Sequence, residues 1–124
     1  WVVMKRHTTM GATILKGSTV PFIRMGARIA IGHHEKWDGS GYPQGLKGDE
    51  IPLHARIFAI VDVWDALLSN RPYRQAWEKD RVIQYLRDQA GSHFDPNIVE
   101  VFLKMMRFKD IQEKEKTQPI KRVD

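Results

Sequence analysis

Apolar residues along this chain recur at intervals of three and four, and the strict alternation of a half-buried strand is almost absent. The spacing predicts helices over roughly 2–16, 24–35, 53–69, 79–90 and 96–107, and therefore an all-α fold, a compact bundle of about five helices. The last helix has the clearest start. Asp95 can cap it, Pro96 suits its first turn, and Ile98, Val99, Phe102, Met105 and Met106 form its stripe. Gly91 is expected to stop the helix before it. Residues 36–52 hold Gly39, Gly41, Pro43, Gly45, Gly48 and Pro52, so they read as loop. A loop this long in a small helical domain is more often functional than idle.

Three helical wheels bear on chemistry. On the first, Val3, Met10, Gly11 and Ile14 share a face with His7, while Lys5, Arg6 and Lys16 lie around the other side. An inward His7 is either a core histidine bonded to a carbonyl or a ligand. On the second, Arg24, Arg28 and Glu35 make a charged stripe, and His33 and His34 lie beside Gly26 and Ala30. Neighbours about 100° apart on a helix serve one site only where small residues open space. Otherwise one histidine is buried and the other sits at the surface. On the third, Leu53, Ile57, Ile60, Val61, Trp64, Leu67 and Leu68 cover one face, and Ala55, Phe58, Ala59, Ala66 and Ser69 the other. Such a helix reads as central and buried. Asp62 sits within its small-residue face, with Asp65 near it, so Asp62 must meet a metal, several donors or an arginine.

Composition changes this picture modestly. The 124 residues carry a net charge of +5, but the cations are spread along the chain, so no nucleic-acid surface is read. There is no Cys, which removes disulfides and thiolate metal sites from consideration. No apolar run approaches the roughly 20 residues of a membrane span. The chain opens at Trp1 in a sequence already helical, which reads as a piece of something longer. From Lys109 onward Lys and Glu interleave, and 109–124 is expected to be a charged, flexible tail following a domain at 1–108. Three histidines and an aspartate on inward faces can converge on a site ligated by nitrogen and oxygen, suited to Fe, Mn, Zn, Co or Ni, and less well to Mg. A site of this kind can activate water for attack on a phosphodiester.

One segment carries more than composition. His33-His34-Glu35-Lys36-Trp37-Asp38-Gly39-Ser40-Gly41-Tyr42-Pro43 joins a histidine pair to a turn closing on Gly-Tyr-Pro. With Met4-Lys5-Arg6-His7, Val61-Asp62-Val63-Trp64-Asp65 and Asn70-Arg71-Pro72-Tyr73-Arg74 in the same order, the chain resembles the HD-GYP family of metal-dependent cyclic di-GMP phosphodiesterases. The resemblance runs from about Val3 to Met106 and covers the C-terminal portion of that domain, truncated on its N-terminal side. It implies His7, His33, His34 and Asp62 as metal ligands, and two or more divalent ions in the complete domain, Fe or Mn first. It implies Tyr42 of the Gly41-Tyr42-Pro43 loop, and Arg71 and Arg74 of the Asn70–Arg74 segment, at the substrate. Arg71 and Arg74 otherwise read as a helix cap and a surface cation. Asp65 and Asp38 are candidates for supporting the ligands, and Asp38 equally for bonding its own turn.

The resemblance has a gap. No His-Asp dipeptide occurs in the chain, although the family is named partly for one. The implied parent hydrolyses cyclic di-GMP with a metal-activated water in a bacterial cytoplasm, and the isolated chain is expected to bind metal weakly and to be inactive. Two other readings stand beside this. One is an interaction module using the Gly-Tyr-Pro loop on a GGDEF-domain partner. The other is a general HD-superfamily nucleotide phosphohydrolase. A homodimer is compatible with all three.

Overall fold

The structure, a computed structural model, describes residues 2–15 and 17–118, with side chains from Lys5 onward. Five α-helices follow in order: α1 Val2–Leu15, α2 Pro21–Gly32, α3 Leu53–Leu68, α4 Lys79–Asp88 and α5 Pro96–Thr117. A 3-10 turn occupies Gly48–Glu50 within the long loop. Among the described residues no strand forms, only isolated bridges at Asp38–Lys47, Arg71–Arg74 and Ala90–Phe94. The all-α expectation holds.

Two helix boundaries differ from expectation in ways that matter. α2 starts at Pro21, where the fixed φ of proline suits a first turn, and ends at Gly32. His33 is its C-cap, so the histidine pair leaves the helix rather than riding on it. Glu35 therefore cannot join the stripe of Arg24 and Arg28. α5 runs past the expected end near 107 to Thr117, with Lys114 and Lys116 in its last turn, where cations suit the helix dipole. Interleaved Lys and Glu at helical spacing give ion pairs along it, Lys104–Glu100 and Lys109–Glu113. Residues 119–124 of the expected tail lie outside the described residues, as do Lys16 and the side chain of Val3.

α1 packs on α2, α2 on α3, and α3 meets both α4 and α5. The main core lies in that last angle: Ala59 and Ile60 of α3, Leu86 of α4, Phe94 and Val99. Trp64 sets its edge against Phe102 at 5.2 Å between ring centres. Each fully buried aliphatic or aromatic side chain here contributes about 1.5–3 kcal/mol. Gly32 lets α2 end directly on α3, since a Cβ there would stand 2.9 Å from that of Ala55.

α3 is less enclosed than its composition suggests. Ala55, Ala59 and Ile60 are buried, but Leu53, Ile57, Phe58 and Val61 are exposed, and so is Asp62. The reason is architectural, because neighbours cover only the side of α3 that carries Ala55 and Ile60. On α1 the expected inward face is also turned: Met10 and Ile14 are exposed, while Thr8 is fully buried and bonds the Lys5 carbonyl.

One ion pair ties the loop, α3 and α5 together. Asp95 caps α5 as expected, accepting from the Asn97 N–H at 2.9 Å. Its second oxygen accepts from Arg56 Nη1 at 2.6 Å, and both groups are largely buried. Arg56 also donates Nε–H to the Ile51 carbonyl at 2.9 Å and lies 6.0 Å from the Trp37 ring centre.

Candidate metal centre

Three elements bring three histidines together. His7 comes from α1, His33 from the cap of α2, and His34 from the turn that follows. One ring nitrogen from each lies within 4.8 Å of the others. His33 Nδ1 stands 2.9 Å from the Ile29 carbonyl and 3.1 Å from that of Ala30. Carbonyls only accept, so Nδ1 carries the proton and Nε2 of the neutral ring keeps its lone pair. That Nε2 faces His7 Nε2 at 3.3 Å. Two nitrogens bound at about 2.1 Å to one ion at the tetrahedral angle stand about 3.4 Å apart. The donor set therefore fits a divalent ion, with helix-end carbonyls orienting the His33 ring.

Electrostatics point the same way. Burial, then the neighbouring His33 and His7, hold His34 well below the ordinary 6.5, at about 4, while Asp62 opposes them. His34 is thus a neutral imidazole at neutral pH, the form that can ligate. Asp62 is exposed and lies outside the cluster of three, although its charge is felt at His34. Its expected burial is not found, and among the described residues it makes no ion pair, so an arginine bridge does not explain it either. His7 is exposed, not a core histidine.

The Gly-Tyr-Pro loop is built onto this cluster. Tyr42 stacks on His34, ring centres 5.1 Å apart and planes within 16°. Lys5 Nζ lies 5.2 Å from the Tyr42 ring centre, so α1 touches the loop as well as carrying His7 of the cluster. Gly41 lies flat against the backbone of His34–Lys36. A Cβ there would stand 2.5 Å from the His34 carbonyl oxygen, besides striking Lys36 N. Beneath the loop Glu35, only 3% exposed, accepts N–H bonds from Gln44 at 2.7 Å and Leu46 at 2.9 Å. The loop is further held by Trp37 and Asp38, whose N–H groups donate to the carbonyls of His93 and Ser92.

The remaining candidates separate. Asp38 accepts from both the N–H and the hydroxyl of Ser40, at 2.9 and 2.6 Å, which makes it a turn residue. The Ser40 hydroxyl and then its N–H hold the Asp38 carboxyl below its ordinary value. Asp65 is exposed, and its carbonyl accepts from Ser69. Arg74 Nη2 donates to the Ala66 carbonyl at 2.6 Å, closing the end of α3, and its backbone pairs with that of Arg71. Arg71 is exposed, and among the described residues neither arginine hydrogen-bonds to the histidines.

Glu35, Lys5 and His93 escaped sequence reasoning. Glu35 left one trace, a lone acid between a histidine pair and a loop rich in unpaired N–H groups. His93 left none. It stacks on Phe94 at 4.1 Å, and burial, then Lys36 and His34, lower its pKa to about 4.

Comparison with known proteins agrees with this geometry. The profile of a family described as HD domain matches residues 2–98. A cyclic di-GMP phosphodiesterase response regulator from Xanthomonas campestris is 55% identical over 102 residues, which is 82% of this chain and 27% of that protein. A cyclic di-GMP phosphodiesterase from Thermotoga maritima is 42% identical, covering 94% of this chain and 32% of its own. A phosphodiesterase from Vibrio cholerae specific for 3'3'-cGAMP is 45% identical over 83% of this chain and 20% of its own length. The chain thus spans about a third or less of these curated relatives. The crystal structure of a cyclic GMP-AMP-specific phosphodiesterase from V. cholerae superposes with a TM-score of 0.67 at 25% identity, covering 95% of this chain and 29% of the other. The histidine triad, the Gly-Tyr-Pro loop packed on it and these matches together place the chain in the HD domain family, in its HD-GYP branch.

Proposed function

We propose that the protein to which these residues belong is a metal-dependent phosphodiesterase that hydrolyses cyclic di-GMP or a closely related cyclic dinucleotide. The observation that carries this reading is the convergence of His7, His33 and His34, with Tyr42 stacked on His34 at the rim. Relatives named for cyclic di-GMP and for cGAMP support the substrate class and leave the choice of bases open.

A divalent ion held by these imidazoles, with Asp62 as a fourth ligand, would polarise a phosphoryl oxygen and lower the pKa of a water. Fe or Mn suits the donor set first, with Zn, Ni, Co and Mg as alternatives, and the complete domain would hold two or more ions. The chain's own residues do the positioning. His33 is fixed by the end of α2, Glu35 fixes the loop, and the loop fixes Tyr42 over His34. Tyr42 offers a face on which a guanine can stack. Arg71 offers a planar fork suited to a phosphate, and Arg74, tied to Ala66, holds the turn that presents it. The reading carries a cytoplasmic location with it. Among the described residues no helix is long and apolar enough to cross a membrane.

A partner-binding role on a GGDEF domain is supported by one observation, the exposure of Pro43, Gln44 and Gly45 at the loop tip. The test of the main reading is the double substitution His34→Ala with Asp62→Ala in the full-length protein. The reading expects loss of bound metal and of cyclic di-GMP hydrolysis together. Retention of both would overturn it.

A further inference from the structure

One charged stripe of the sequence finds no counter-charge in the structure. Arg24 and Arg28 stand one turn apart on α2, and both are exposed. Glu35, the acid expected beside them, is instead buried under the loop, where it holds the N–H groups of Gln44 and Leu46. Across the cleft between α2 and α3 stands His54, in a first turn of α3 that contains no acidic residue. Arg24, Arg28 and His54 line one cavity of about 220 Å³, completed by Pro21 and Met25. Among the described residues none of these three side chains makes a hydrogen bond or an ion pair. Like charges one turn apart repel. Elsewhere in the chain such cations meet acids, as Arg56 meets Asp95 and Lys79 meets Asp110.

We propose that Arg24, Arg28 and His54 form an anion site whose ligand is the phosphate monoester group of a small molecule. Each guanidinium presents a planar fork of N–H donors that matches two phosphate oxygens, and the imidazole offers an N–H in either tautomer. The two fixed positive charges balance the charge of about −2 that a phosphate monoester carries at neutral pH, which a diester does not reach. Donors come from two helices, so the ligand is gripped from both walls of the cleft rather than met by one surface row. The cavity is separate from the histidine cluster but lies along the same side of α3. His54, Phe58 and Asp62 follow at spacings of four, and the Phe58 ring centre lies 5.7 Å from that of His33. His54 stands about 6 Å along the axis from Phe58. A phosphate held here needs no metal, and its binding is independent of the phosphodiesterase reading.

Titration of this chain with inorganic phosphate tests the proposal, with EDTA present, ionic strength held constant and pH at about 7.5. Binding is read from the histidine ring signals in NMR, those of His54 being the ones that His54→Gln removes. The expected result is saturable movement of the His54 signals with a Kd on the order of 1 mM, larger than that of any other histidine. A nucleoside 5′-monophosphate should compete for the site, and dimethyl phosphate, a diester, should bind at least fivefold more weakly. Arg24→Gln with Arg28→Gln should weaken phosphate at least tenfold, with helical circular dichroism retained because both side chains face solvent. No saturation by about 50 mM phosphate would overturn the proposal. So would a nucleotide that fails to compete, equal binding of dimethyl phosphate, or unchanged binding in the double variant.

Discussion

His33 gives its Nδ1 proton to the Ile29 carbonyl, 2.9 Å away, and so presents a bare Nε2 to His7 Nε2 at 3.3 Å. A backbone carbonyl at the end of α2 therefore decides which nitrogen faces the site. The first prediction follows from this. His33→Gln can fill the space but has no ring nitrogen to present, so metal affinity should fall about 10-fold to 100-fold with little change in stability. Metal titration beside thermal unfolding checks it, and a variant that unfolds without losing affinity would contradict it.

Glu35 is the residue on which the loop rests. Removing a buried carboxylate that accepts two backbone N–H bonds should cost about 1.5–3 kcal/mol. Glu35→Ala should therefore lower the unfolding midpoint and release Tyr42 from His34. Denaturant unfolding measures the first, and tyrosine fluorescence quenching the second. Unchanged stability would show that the loop is held elsewhere.

Gly41→Ala places a methyl into the backbone of His34–Lys36, where the contact atoms cannot swing away. The loop must lift, at a cost on the order of 2–4 kcal/mol. Hydrogen exchange at the N–H of Tyr42, which donates to the His34 carbonyl, should accelerate strongly. Exchange at the rate of the parent chain would refute the close approach.

Arg56→Met leaves Asp95 buried without its cation and should destabilise by about 2–4 kcal/mol. Asp95→Asn alone should cost less, because an amide oxygen still caps α5. A double-mutant cycle separates the pair from the cap, and additive single effects would deny the coupling.

Stability should fall with acid through His93. Burial, aided by Lys36 and His34 and opposed by Asp38, lowers its pKa from 6.5 to about 4. The unfolded chain then takes the proton first, so the contribution is whole above 6.5 and is lost as pH falls toward 4. Partial exposure reduces the loss to about 1–2 kcal/mol. Urea unfolding at neutral pH and near pH 4.5 should show His93→Phe with a smaller drop than the parent. Equal drops would remove His93 as a source.

Helix count, the α5 cap and the loop at 36–52 were legible because each rests on local chemistry: Pro96 after Asp95, or repeated Gly and Pro. The resemblance carried the histidines to one site, yet helical wheels misjudged how they reach it. α2 ends at Gly32 with His33 as its cap, earlier than the expected 35, which freed His33 and His34 from helical geometry. Glu35 lost its solvent for the same reason. The exposure of Met10, Ile14, Val61 and Asp62 was not legible, because periodicity tells which residues share a face and not whether anything covers it.

Titration of this chain with Co²⁺, followed by visible absorption, tests the central claim most directly. The account predicts saturable binding of one ion per chain, weak because only three imidazoles and Asp62 are at hand, and lost in His34→Ala. Absence of saturable binding to millimolar Co²⁺ with the helices intact, or equal binding by His34→Ala, would contradict it.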